Sequence, residues 1–292
     1  MPSRPAEAAQ PVDVQPVDPG PIDLVRRYDH DRFLASLFAP AGLRPAIWAL
    51  LAFNLEIARV REVVSQPVIG QIRLQWWRDA LDEIYTGKPP RRHEVVEPLA
   101  AAIVAHGLTR THFDTMIDGR EFDLGDEPPA SLDALERYLE QTSSRLIDLE
   151  LEVLGVTAPA AFEAARHAGV AWGLIGLVRA VPFHAAQGRI YLPADLMAGA
   201  GIDRDVLLAG KGASAVLVKP LVDRAAEHLM AVRRRRKEIP RKAVSALLVA
   251  RQAAAYLRRL VQSGYDPFDP HVNAPDPGAV FRLAVGRYLA LI

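Results

Sequence analysis

At 292 residues and a formal net charge of zero, the chain offers no bulk electrostatic argument for nucleic acid or a strongly anionic partner. It has no cysteine, which excludes disulfides, thiolate metal sites and a cysteine nucleophile. Half of its residues are hydrophobic and 24% are charged, a balance that supports one large packed domain or two small ones.

The N-terminal stretch MPSRPAEAAQPVDVQPVDPGP has no apolar run for a secretory signal, and Glu7, Asp13 and Asp18 argue against an acid-poor transit peptide. Its Pro, Ala, Val and Asp content predicts a disordered tail over residues 1–21, ahead of a domain over 22–292. No apolar run approaches the roughly 20 residues of a membrane span, so the chain reads as a cytosolic globular protein.

Beyond the tail the period is that of helices. LRPAIWALLAFNLEIARVREVV opens near Pro45 and, with Pro67 as its stop, predicts one helix through Val64. PVIGQIRLQWWRDALDEIYTG predicts a second, stopped by Gly87. HEVVEPLAAAIVAHG and THFDTMIDGREFDLG predict two more. SLDALERYLEQTSSRLIDLELEVLG has Ser131 as its N-cap and Gly155 as its close. AAFEAARHAGVAWGLIGLVRAV is apolar on most sides, as a buried central helix would be. GRIYLPADLM is the one extended-looking piece. KPLVDRAAEHLMAVRRRRKEIP, RKAVSALLVARQAAAYLRRLVQSG and PGAVFRLAVGRYLALI complete the series. The Pro/Gly clusters at 88–91, 126–130 and 266–276 are loop-sized, so a single all-α domain follows.

Several residues invite chemistry. In RLQWWRD, helical spacing turns one tryptophan to the core and leaves the other at its border; Arg73 and Arg78 suit a diphosphate or an anionic lipid, but acids interleave with them. Asp79 and Glu83 share a helical face, as the solvated side of an amphipathic helix also would. Arg233 to Lys237 reads either as an anionic-membrane patch or as a helix end where cations suit the dipole. His167 reads as an interior or boundary histidine. No Gly-rich phosphate loop, GxSxG, HExxH or EF-hand pattern is present.

Three stretches in order carry a resemblance: Tyr28 to Val64, Met116 to Gly155, and AWGLIGLVRAVPFHAAQGRIYLPADLM, whose GRIYLPADL ending is the most specific. With RRLVQSGYDPFDPHV near the C-terminus, they resemble the squalene/phytoene synthase family of head-to-head prenyltransferases. The resemblance implies an all-α isoprenoid synthase bundle around a central cavity. In active members, two DxxxD-type motifs on facing helices hold Mg²⁺, which binds the substrate diphosphate and stabilises it as a leaving group.

This chain departs from that pattern. Alignment on Ala52-Phe53 puts Ala58, Arg59 and Glu62 at the first motif's aspartates, with Ala58 and Glu62 on one face with Leu51 and Leu55. Ala180 and His184 fall at the second motif's aspartates, and Pro182 would disturb the helix between them. The resemblance thus leaves no catalytic aspartate and no metal set, and marks Arg59, Glu62, Arg179, His184, Arg189 and Tyr191 as ligand-binding candidates. An ordinary imidazole pKa near 6.5 suits His184 to act as a base or phosphate donor; the competing reading is a ring that bonds locally.

The run from Ala52 to Tyr85, with Arg179-Ala180, Pro182 and His184, resembles the aspartate-less branch of the family, typified by a mitochondrial assembly factor of respiratory complex I. That implies a noncatalytic assembly factor for complex I (NADH:quinone oxidoreductase). It would meet complex I subunits or assembly intermediates and hold a lipid or isoprenoid in its cavity. It would need no cofactor and no nucleic acid, and would work in the cytoplasm with peripheral contact at the inner membrane. The alternative is an active prenyltransferase acting on farnesyl or geranylgeranyl diphosphate, with Mg²⁺ on carboxylates recruited from among Glu56, Asp79, Asp82, Glu83, Asp118, Glu121 and Asp123. A third reading is a lipid-binding module at the membrane surface through Arg233–Arg236.

Overall fold

Helices account for all the regular structure in the computed structural model, which describes residues 20–64, 66–209 and 215–291. In chain order they are α1 (Pro21–Tyr28), α2 (His30–Ser36), α3 (Arg44–Ala58), α4 (Pro67–Tyr85), α5 (Val96–His106), α6 (Arg110–Glu121), α7 (Leu132–Leu139), α8 (Arg145–Val153) and α9 (Pro159–Arg179). Then follow α10 (Val181–Ala186), α11 (Ala194–Ala200), α12 (Arg204–Leu208), α13 (Ala215–Arg234), α14 (Val244–Leu247), α15 (Val249–Gln262) and α16 (Ala279–Leu289). Pro21, read as the end of the tail, is the first residue of α1, where its missing N–H costs nothing. Residues 1–19 of the predicted tail lie outside the described residues.

Helix α9 is the shared wall of two apolar cores. Its N-terminal half, Ala161 to Ala171 with Trp172, packs into the larger core with Leu50, Phe53, Phe113 and Leu149. Its C-terminal half gives Leu174, Ile175 and Val178 to a second core with Leu217, Leu221 and Leu260. The stretch Ala41–Ala58, α3 with the 3₁₀ turn before it, is long and apolar enough to cross a membrane by composition. Its Ile47, Leu50, Leu51, Phe53 and Ile57 are nevertheless at most 1% exposed, inside the bundle, and each such side chain contributes about 2 kcal/mol of burial.

The local signals act as the residues require. Ser131 Oγ accepts from the Ala134 N–H, and Gly87 and Gly155 turn their chains with φ of +74° and +63°. Three expectations need correction. Helix α3 ends at Ala58, and Val60–Val63 is a 3₁₀ turn; β-branched Val60, Val63 and Val64 are poor continuers, and Pro67 holds Gln66 extended. The helix read from Ser131 to Gly155 contains a π turn at Glu140–Ser144 between α7 and α8. In GRIYLPADLM only the first residues are irregular, and α11 begins after Pro193. Pro182 does break the helix: α9 stops at Arg179, and Pro182 sits in the first turn of α10, where it is tolerated.

The π turn is gripped from both sides by glycine. A Cβ on Gly169 of α9 would lie 2.5 Å from the Ser144 Cα and 2.6 Å from its N, and one on Gly119 of α6 would lie 2.9 Å from the Thr142 Cγ2. Ser144 Oγ then donates to the Arg166 carbonyl at 2.8 Å. Further along α9, the Leu139 side chain occupies the space a Gly173 side chain would need, whereas Gly176 faces open space. Gly169→Ala is therefore expected to lower stability by about 1–3 kcal/mol through overpacking against backbone. Gly176→Ala on the same helix should raise it by roughly 0.5–1 kcal/mol. Urea midpoints at unchanged m-value read both, and shifts of the same sign would refute this packing.

Candidate functional site

The family positions sit where α3 and α9 end. Arg59 caps α3; its guanidinium lies over the Tyr28 ring at 4.1 Å and pairs with Glu62 at 3.4 Å. Because the helix stops at Ala58, Glu62 leaves the face it was expected to share with Ala58, Leu51 and Leu55, and its side chain is about one-third exposed. Among the described residues, neither Arg59 nor Glu62 meets the other candidates in a hydrogen bond, ion pair or ring contact.

Arg179, the last residue of α9, ties distant segments together. Its guanidinium stacks on Tyr256 of α15 at 3.3 Å, reaches Asp31 of α2 at 3.4 Å and donates to the Asn273 side chain at 2.9 Å. Tyr256 in turn donates to Asp31 at 2.9 Å, and burial pushes the Tyr256 hydroxyl pKa up to about 12. The cation is thus shared between an aromatic face and a carboxylate.

His184, Arg189 and Tyr191 do come together, around a residue weighed only as a metal ligand. Asp123, 5% exposed after α6, accepts from Tyr138 at 2.9 Å, from Tyr191 at 2.8 Å and from Arg120 at 3.1 Å. Arg120 also donates to the Tyr138 hydroxyl at 2.7 Å, and Arg189 donates to the Asp123 carbonyl. Burial opposes the charge on Arg120, but Tyr138 and Asp123 more than offset it and raise its pKa. Burial also raises the tyrosines, so both hydroxyls stay protonated as donors. His184 rests against Tyr191, ring centroids 4.7 Å apart, with its Nδ1 buried and unpartnered among the described residues. Burial, then the Arg189 charge, pushes its pKa down to about 4. At neutral pH it is an uncharged ring.

A second polar cluster lies inside the bundle. Arg32 pairs with Asp29 at 3.0 Å, donates to Ser143 of the π turn at 3.4 Å and lies over Trp172 at 5.5 Å. Burial raises nearby Glu150 to about 8, so this carboxyl is largely protonated at neutral pH. His167 bridges to His228, Nδ1 to Nδ1 at 2.8 Å, as an interior pair. The other weighed acids are engaged at the surface: Asp118 and Glu121 with Arg78 at 2.7 and 2.6 Å, Glu83 with Arg91, Asp82 with Arg110, and Asp79 with Gln75. Glu56 and Arg73 line a groove with Trp76, Trp77 and His93. Trp77 is buried and Trp76 half-buried, as the spacing of the pair predicts.

This donor set does not fit Mg²⁺. The ion asks for several oxygen ligands in near-octahedral array. The family positions instead offer two alanines, a guanidinium already stacked and paired, one surface glutamate and a neutral imidazole. Among the described residues, no three His, Asp or Glu side chains gather as a metal site would need. Asp123 is satisfied by three donors.

An all-helical bundle of this kind, with the family positions at the ends of α3 and α9, is the isoprenoid synthase class of fold. The chain matches the squalene/phytoene synthase family over residues 25–278, and it belongs to that family. It is 34% identical to the bovine protein "NADH dehydrogenase (ubiquinone) complex I, assembly factor 6", covering 86% of this chain and 76% of that one. It is also 30% identical to a presqualene diphosphate synthase of Rhodopseudomonas palustris, covering 80% and 84%. In structure it superposes on squalene synthase HpnC from Alicyclobacillus acidocaldarius with a TM-score of 0.73 at 20% identity, over 84% and 93% of the two chains. A dehydrosqualene synthase in complex with ligand gives 0.78 at 19%, over 93% and 96%; at these identities the likeness is one of fold.

The neutral His184 ring has a consequence for acid stability. Its folded value of about 4 lies below the ordinary 6.5, so the folded state binds fewer protons between those values. The stability it confers is complete above pH 6.5 and is lost as pH falls through 4. His184→Gln should flatten the acid limb over that window by roughly 3 kcal/mol at full extent, read by urea unfolding at pH 7 and pH 4. His167, also held near 4 by burial and the Arg166 charge, retains its own share in the variant. An unchanged limb would mean that the His184 ring is solvated.

Proposed function

We propose that this protein is a noncatalytic assembly factor for respiratory complex I, built on a squalene/phytoene synthase fold whose metal positions have been replaced. The observation that carries the reading is the pair Ala58/Arg59 and Ala180/His184 at the family's aspartate positions. Both neighbouring guanidiniums are locked onto aromatic rings, and the buried carboxylate of Asp123 is satisfied by protein donors. The 34% identity to a complex I assembly factor over most of the chain supports it. The partners would be complex I subunits or assembly intermediates. The exposed apolar residues Val63, Val68, Ile69 and Ile72, beside the groove that Trp76 lines, are the kind of surface that association uses. A lipid or isoprenoid in the open space beside Gly176, and a site of action in the cytoplasm at the inner membrane, belong to the same proposal.

The likeness to a presqualene diphosphate synthase favours one alternative, a Mg²⁺-dependent prenyltransferase. Two measurements separate them. Deleting the gene from its host should reduce assembled complex I on native gels and NADH:quinone activity, with recovery on re-expression. Diphosphate release from farnesyl or geranylgeranyl diphosphate with Mg²⁺ and NADPH should stay at background beside an active synthase. Normal complex I in the deletion strain would refute the assembly reading, and EDTA-sensitive release would establish the synthase.

A further inference from the structure

Away from the family positions, five arginines converge on one cavity. It has a volume of about 410 Å³ and lies among α13, α15 and α16, within the roughly 300–1,000 Å³ of small-molecule sites. Arg233 and Arg236 enter from the end of α13 and the turn after it, Arg251 and Arg258 from α15, and Arg282 from α16, over an apolar floor that includes Leu229. Among the described residues, no acidic side chain lines it.

Compensation from elsewhere is partial. Asp276 takes Arg282 at 3.0 Å but is shared with Arg259 at 3.2 Å. Arg236 donates to the Leu289 and Ala290 carbonyls at 2.9 and 2.7 Å, and Arg251 to Leu291 at 3.3 Å, closing the C-terminal end of α16. Arg251 Nε is buried without a partner among the described residues. Arg233 and Arg258 form no hydrogen bond or ion pair among the described residues. The Arg251 pKa is lowered by burial, then by Arg282, Arg258 and Arg233, as expected of cations that repel one another. In a chain of zero net charge this is a concentrated positive basin, and guanidinium forks match phosphate oxygens bidentately.

The surroundings choose between phosphates. Helix α16 leaves Phe281 73% exposed, Tyr288 72% and Leu289 60%. Phe281 and Tyr288 are two turns apart on one face, and α15 exposes Val261. Cations beside exposed aromatic and aliphatic side chains are the pattern of a membrane-surface contact, not of a pocket for a free anion.

We propose that this basin binds the phosphate of an anionic phospholipid headgroup, with Phe281, Tyr288 and Leu289 entering the boundary between headgroups and acyl chains. The site would supply the membrane contact of the proposed function, and its test does not involve complex I, so either can fail without the other. Full-length protein is floated with phosphatidylcholine vesicles, with and without phosphatidylglycerol. Inorganic phosphate binding is followed separately by thermal shift.

The wild type should bind only the phosphatidylglycerol vesicles. Arg233→Gln/Arg258→Gln, at two exposed positions without partners, should weaken that binding about thirtyfold, the equivalent of ~1 kcal/mol per interfacial cation. Phe281→Ser/Tyr288→Ser should lose the vesicles but keep any response to inorganic phosphate. Both variants should unfold at the wild-type temperature. Three results overturn the proposal: wild type that ignores anionic vesicles, an arginine variant that binds them as the wild type does, or vesicle binding unaffected by the apolar variant and displaced by inorganic phosphate. The last would assign the basin to a soluble phosphate.

Discussion

Helix α9 can stand at the centre of this bundle because it approaches the π turn of the preceding helix to within backbone contact. Gly169 meets the Ser144 main chain with no space for a methyl group, and Gly119 admits the other side of the same turn. The extra residue of the π turn pushes Thr142, Ser143 and Ser144 into this gap, where all three are buried. Ser144 and Thr142 satisfy their hydroxyls on main-chain carbonyls. From that seat α9 divides the apolar interior into two cores and carries its C-terminus, with Arg179 and Ala180, to the place where a synthase of this family would begin its second metal motif. The position of the candidate site is therefore a product of packing decided ten residues earlier on the same helix.

What stands at that place is the opposite charge from the one metal chemistry asks for, and the structure has made use of it. A guanidinium at a helix end has little to bind among apolar neighbours, and burying it unpaired would cost several kcal/mol. Arg59 and Arg179 both avoid this with an aromatic face and a carboxylate: Tyr28 with Glu62, and Tyr256 with Asp31. In the second case the partners lie more than two hundred residues apart, so the cation joins the first helices of the fold to its last long one. The Asp123 cluster follows the same logic with the signs reversed, one buried carboxylate held by a guanidinium and two tyrosines.

The helical period, the caps at Ser131 and Gly155 and the core role of Trp77 were legible in the sequence because each depends on residues within one or two turns. The family and its altered positions were legible through local motifs, GRIYLPADL above all. The end of α3 was misread because Ala58 to Val64 continues the apolar period while its β-branched residues weaken the helix. The sequence offers Asp123 as a spare ligand, although Arg120, three residues earlier, is a signal for a neutralising partner. Asp31 with Tyr256, and Arg32 with Glu150 and Trp172, left no signal, since only the tertiary fold brings them together. In the sequence the arginine basin shows only as the run Arg233 to Lys237, whereas its arginines come from α13, the turn after it, α15 and α16.

The two ends of the molecule thus treat arginine in opposite ways. At the family positions every guanidinium is matched by a ring or a carboxylate, which consumes the charge in holding α2, α9 and α15 together and leaves none directed at a ligand. At the C-terminal end, Arg233 and Arg258 are unmatched among the described residues, and the charge of Arg251 is disfavoured by burial and then by its cationic neighbours. With equal numbers of acidic and basic residues in the whole chain, this unevenness comes from placement, since composition supplies no excess. Charge left unpaired in a packed structure is an electrostatic cost that nearby carboxylates could remove. Its persistence beside exposed Phe281 and Tyr288 locates the unspent electrostatic potential of this protein on its outer face, away from the positions where its fold relatives assemble their chemistry.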